Sequence, residues 1–118
     1  MNEKSLFALD FLSGYVALTG VVFKTPTFRM MAGQYPYEVK IKRLPWGRLS
    51  QSPVEIVREC TENTILEFRD DEDNVRGVIF LPEADKENPF KRIFVYKHFS
   101  ERLQEVWEGH KISLRSFV

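Results

Sequence analysis

The nine residues Lys40–Arg48, KIKRLPWGR, set one indole among four cations. Trp46 follows a proline and precedes a glycine, which places it in a loop. A flat aromatic ring beside Lys40, Lys42, Arg43 and Arg48 suits a polyanion with exposed bases: the ring stacks on a base and the cations meet phosphates. Such stacking is worth about 1–3 kcal/mol per base and reads no sequence. Tyr35, Tyr37, Phe94 and Tyr96 are further candidate platforms, and Arg29 and Arg92 further candidate cations. Each has a plainer reading. Phe94 and Tyr96 on an outer strand face suit a subunit interface as well as a strand of DNA, because aromatic residues serve both. The basic run also fits a solvated strand face. Trp107 and Phe99 fall on a helical stripe and read as core.

Other chemistries find less to work with. RDDEDN, residues 69–74, holds four carboxylates but lacks the spacing and closing Glu of a calcium loop. It reads as a solvated hairpin tip, one that points away from DNA or competes with it. Cys60, His98 and His110 are scattered and show no zinc spacing. There is no phosphate-binding glycine loop, nucleophile elbow or dinucleotide turn. The expectation is a protein that is not an enzyme, with no catalytic residue, metal or cofactor.

The chain has 118 residues, enough for a single domain over 1–118. Seventeen Lys and Arg balance seventeen Asp and Glu, so any positive field is local. The single cysteine excludes a disulfide framework and fits a reducing compartment. No apolar run approaches the ~20 residues of a membrane span. Asp10 interrupts the apolar stretch in MNEKSLFALDFLSG, which argues against a signal peptide. A cytoplasmic protein with no membrane partner is expected.

Strands must position the candidate residues. Tyr15–Phe23 and Tyr37–Arg43 alternate, with a Pro, an Arg and a Gly between them. In SQSPVEIVREC, Ser52, Pro53 and Glu55 have the N-cap, first-turn and capping-box places of a short helix. TILEF and VRGVIFLP flank the acidic tip as a hairpin. KRIFVYKH is a strand expected to point Ile93 and Val95 inward and Arg92, Phe94 and Tyr96 outward. Ser100, Glu101 and Gly109 mark a helix carrying Leu103, Val106 and Trp107 on one stripe. HKISLRSFV closes as a strand. The sum is mainly β: an OB-fold-like small barrel with a capping helix and a β-hairpin inserted at about 44–90. Val16, Leu18, Val39, Ile41, Ile93, Val95, Ile112 and Leu114 are expected to line its interior, capped by Leu103 and Trp107.

The segment YVALTGVVFKTPTFRMMAGQYPYEVKIKR resembles the first hairpin of bacterial single-stranded DNA-binding proteins, in the places of Leu18, Gly20, Pro26, Arg29 and Gly33. PFKRIFVYKHFSERLQEVWEGHKISLRSF resembles that family's third strand, capping helix and fourth strand. The two segments cover about half the chain. Residues 44–89 exceed the family's connecting loop, and its fifth strand and acidic tail have no counterpart after Val118, so the inserted hairpin or another chain is expected to supply the closing strand. The primosomal replication protein N family is the nearer comparison. The resemblance implies single-stranded DNA, or RNA, as ligand in replication, repair, recombination or mobile-element biology. It also implies a homodimer or higher homo-oligomer, with a replication or mobile-element protein as a further partner. The alternative is an OB-like protein-interaction module, an adaptor or inhibitor, that uses the same aromatic face. Neutral charge and the lost tail favour that alternative.

Overall fold

The computed structural model describes residues 8, 10–15, 27–32, 35–97 and 101–117. Six strands pair in chain order into one mixed sheet. They are β1 (Thr27–Ala32), β2 (Tyr35–Pro45), β3 (Thr64–Arg69), β4 (Val75–Leu81), β5 (Phe94–Lys97) and β6 (Leu114–Ser116). The β2–β3 and β5–β6 pairs are parallel, and the other three are antiparallel. A parallel step needs a crossover connection, and helices provide both. Helices α2 (Arg48–Gln51) and α3 (Pro53–Glu59) join β2 to β3, and α4 (Glu101–Gly109) joins β5 to β6. A further helix, α1, spans residues 10–15, with Ala8 also helical.

The sheet is covered on both faces. On one, Ala8, Phe11, Leu12 and Tyr15 pack over Val39, Ile41, Ile65, Val78, Phe80 and Val95. The spacing 8, 11, 12, 15 is the i, i+3, i+4, i+7 stripe of an amphipathic helix. On the other face, Ile56 and Val57 of α3 and Leu103 and Trp107 of α4 pack over Leu44, Leu66, Phe68, Ile79, Leu81 and Phe94. β3 and β4 alternate between the two cores, so Thr64–Phe68 and Gly77–Leu81 are buried without a break.

The mainly-β expectation holds, with helix α3, the β3–β4 hairpin, strands β2, β5 and β6, and helix α4 where the sequence placed them. The strands do not wrap into the expected small barrel with one interior: those described form an open sheet with a separate core on each face. Val39, Ile41 and Val95 lie in one core, while Ile112, Leu103 and Trp107 lie in the other. Ile93 and Leu114 are only half-buried. Val16 and Leu18 lie outside the described residues. Tyr15, expected to open a strand, is helical instead. Thr27–Ala32, which lies between the two expected strands, is itself a strand paired with β2. Ser52 makes no side-chain capping bond, although Pro53 does occupy the first turn.

Two outward placements also need correcting. Phe94 is 1% exposed and meets Trp107 edge-on with centroids 6.2 Å apart. Arg92 is buried with its guanidinium among backbone carbonyls. Alternation marks an inner and an outer face only when one face meets water. Here α4 covers the second face of β5.

Candidate interaction groove

Lys40 and Lys42 are alternate residues of β2, so both project to the α3 side of the sheet, as Leu44 does. Glu59 is the last residue of α3, and Glu62 lies in the loop that enters β3. The parallel β2–β3 pairing brings these two short stretches together. Lys40 Nζ lies 2.7 Å from Glu62 Oε2, and Lys42 Nζ lies 3.5 Å from Glu59 Oε2. Arg48, the first residue of α2, sends Nη2 to within 3.7 Å of the same Glu59 oxygen. A cleft of about 400 Å³ opens here, lined also by Cys60, Thr61 and Thr64.

The electrostatics are those of a paired surface. The hydrogen bond and charge of Glu62 hold the Lys40 ammonium above its usual range. Burial pushes the Cys60 thiol up, against the pull of Lys42 and Arg92. Nucleophilic cysteines work as thiolates, and burial at 6% exposure favours the thiol here. Among the described residues no group of three or more His, Cys, Asp or Glu is placed to hold a metal ion.

Arg43 belongs to a different cluster on the α1 side. Glu67 of β3 is buried, and its Oε2 accepts the Tyr15 hydroxyl. Its Oε1 accepts Arg43 Nε at 3.0 Å and Arg69 Nη2 at 2.9 Å. Burial alone would raise the Glu67 carboxyl, but Tyr15, Arg69 and Arg43 together bring it below the usual carboxylate range. Burial and then Glu67 push the Tyr15 phenol up, so it is a donor and not a base. Arg69 also anchors the acidic tip, with Nη1 3.2 Å from both the carbonyl and a carboxylate oxygen of Asp73.

Arg92 has a structural task. It donates to the carbonyls of Val57 at 2.8 Å and Cys60 at 2.6 Å, at the end of α3. It also donates to Pro82 at 3.2 Å and Pro89 at 2.6 Å in the connector before β5. Burial lowers its pKa without removing its charge at neutral pH.

The eleven candidate residues are therefore not one surface. Lys40 and Lys42 line the groove, and Arg48 reaches Glu59 beside it. Trp46 sits half-buried in the turn after β2 and packs against the α3/α4 core. Tyr37 is half-buried on the opposite face, edge-on to Phe11 at 5.6 Å. Tyr96 is half-buried against the α3/α4 core. Arg29 is exposed on β1, and the Tyr35 side chain lies outside the described residues. Sequence reasoning missed Glu59 and Glu62, whose signal is their position flanking the exit of α3. It also missed Glu67, whose signal is a lone acid between Leu66 and Phe68 in an apolar strand.

Among the described residues no helix is long and apolar enough to cross a membrane. Comparison with family profiles, with curated proteins and with solved structures finds no match to this chain.

Proposed function

We propose that the chain is a non-catalytic binding module and that the groove between β2 and α3 grips a protein partner. One observation carries this reading: the basic stripe that suggested phosphates is answered by Glu59 and Glu62 at 2.7–3.7 Å. Interleaved charges complement a protein surface, while a phosphate backbone favours unopposed cations. A photo-crosslinking amino acid in place of the exposed Thr61 tests it. A discrete protein adduct should form in cells and vanish when Lys40→Glu and Lys42→Glu are added. Tryptophan emission should not respond to poly-dT.

A second reading, single-stranded DNA or RNA binding with an OB-like relationship, draws on Trp46, half-buried in a turn beside Arg48. Quenching of Trp46 by poly-dT, with a salt slope of about −0.7 per phosphate met, would put this reading first. Replication, repair and mobile-element roles and a cytoplasmic site are proposals attached to it. Homo-oligomerisation is also a proposal. It loses the support of an outward Phe94 and keeps that of β1 and β6, which end the described sheet.

A further inference from the structure

The groove carries a register, and the register specifies a ligand. Alternate residues of a strand lie about 6.6 Å apart on one face. Lys40 and Lys42 thus form two rungs, each already closed by one carboxylate, Glu62 on the first and Glu59 on the second. Both carboxylates reach in from the opposite wall and are more than half exposed, at 61% and 52%. Exposed ion pairs of this kind hold weakly and exchange with competitors. The lining sets two cations, Lys40 and Lys42, against two acids, and Arg48, 3.7 Å from Glu59, adds a third cation beside the groove. The next rung along adds one cation and one acid together, Arg29 and Glu38, which stand opposite each other in the β1–β2 register on the same face as Lys40.

Resting on the reading of the groove as a protein-binding site, we propose that its ligand is an extended acidic peptide segment with carboxylates two residues apart. Those carboxylates replace Glu62 and Glu59 on Lys40 and Lys42. An extended chain repeats its side chains at the same two-residue period as β2, so both rungs are met at once. A helix repeats a face only every three to four residues and does not match the two-residue period of the rungs. Exchange of one carboxylate for another preserves the charge balance at each ammonium.

Fluorescence anisotropy of the full chain at low salt, with two labelled peptides of equal charge, tests this. One carries Glu-Ser-Glu and the other Glu-Glu-Ser, each flanked by glycine. The spaced peptide should bind saturably and at least about fivefold more tightly than the adjacent one. Glu62→Gln frees a rung and should tighten binding about two- to fivefold. Lys40→Gln with Lys42→Gln should weaken it at least about tenfold, and Lys86→Gln, in the connector before β5, should change nothing. These are exposed or half-exposed positions, and circular dichroism checks that each variant folds. Equal affinity for the two peptides, no saturable binding, or an equal loss with Lys86→Gln overturns the proposal. If that happens while the Thr61 adduct persists, the acidic register falls and the binding module stands. If the adduct is absent too, both fall.

Discussion

At the scale of single residues, two buried charges are satisfied in opposite ways. Glu67 gathers Tyr15, Arg43 and Arg69 around one carboxylate. Its native pKa lies below its unfolded value, so its contribution is fully present above about pH 4.3. That contribution is lost as the pH falls through the lowered native value. Glu67→Gln should cost about 1–3 kcal/mol at neutral pH and flatten the acid limb of a stability–pH curve followed by chemical denaturation. Arg92 has no carboxylate and relies on four backbone carbonyls. Arg92→Leu keeps the bulk but leaves those carbonyls unpaired, and should cost on the order of 3 kcal/mol in a urea melt. Glu67 was missed although it leaves a signal, a lone acid in TILEFR. The role of Arg92 was missed too, because a carbonyl cage assembled from α3 and two prolines leaves no mark in local sequence.

At the scale of elements, turn and periodicity signals were the most readable. Pro53 and Glu55 located α3, and Gly109 located the end of α4. Past that end, Lys111 adopts φ 62°, a left-handed conformation that L side chains resist. Lys111→Gly should therefore raise stability by about 0.5–1 kcal/mol net of the extra freedom of glycine, seen as a higher Tm. α1 shows the opposite lesson. Its 8-11-12-15 stripe was present in LFALDFLSGY, but the strand-like alternation further along drew Tyr15 into the wrong element. β5 misled for a related reason: four residues are too few for alternation to reveal that both sides are covered.

At the scale of the whole molecule, the central strands β3 and β4 serve two cores at once. Their amides should exchange with solvent more slowly than those of β1 and β6, measured by native-state hydrogen exchange. The strand inventory was largely readable from sequence, while the sheet's openness was not. Strands of a barrel and of a doubly covered sheet share composition, and only the parallel β2–β3 and β5–β6 pairings distinguish this arrangement from an all-antiparallel roll.

The strand order has a consequence in time. Every described strand pairs with its neighbour in the chain, and none is wedged between two that came earlier. The sheet thus grows only by accretion at a rim, like a fence extended post by post, and no pairing has to be undone to admit a latecomer. The β3–β4 hairpin, closed by the Asp70–Asn74 turn, is the natural seed. Partners near in sequence also mean short searches, and folding faster than in sheets that join distant segments. A ribosome releasing the chain from its N-terminus would expose each strand to a partner already made.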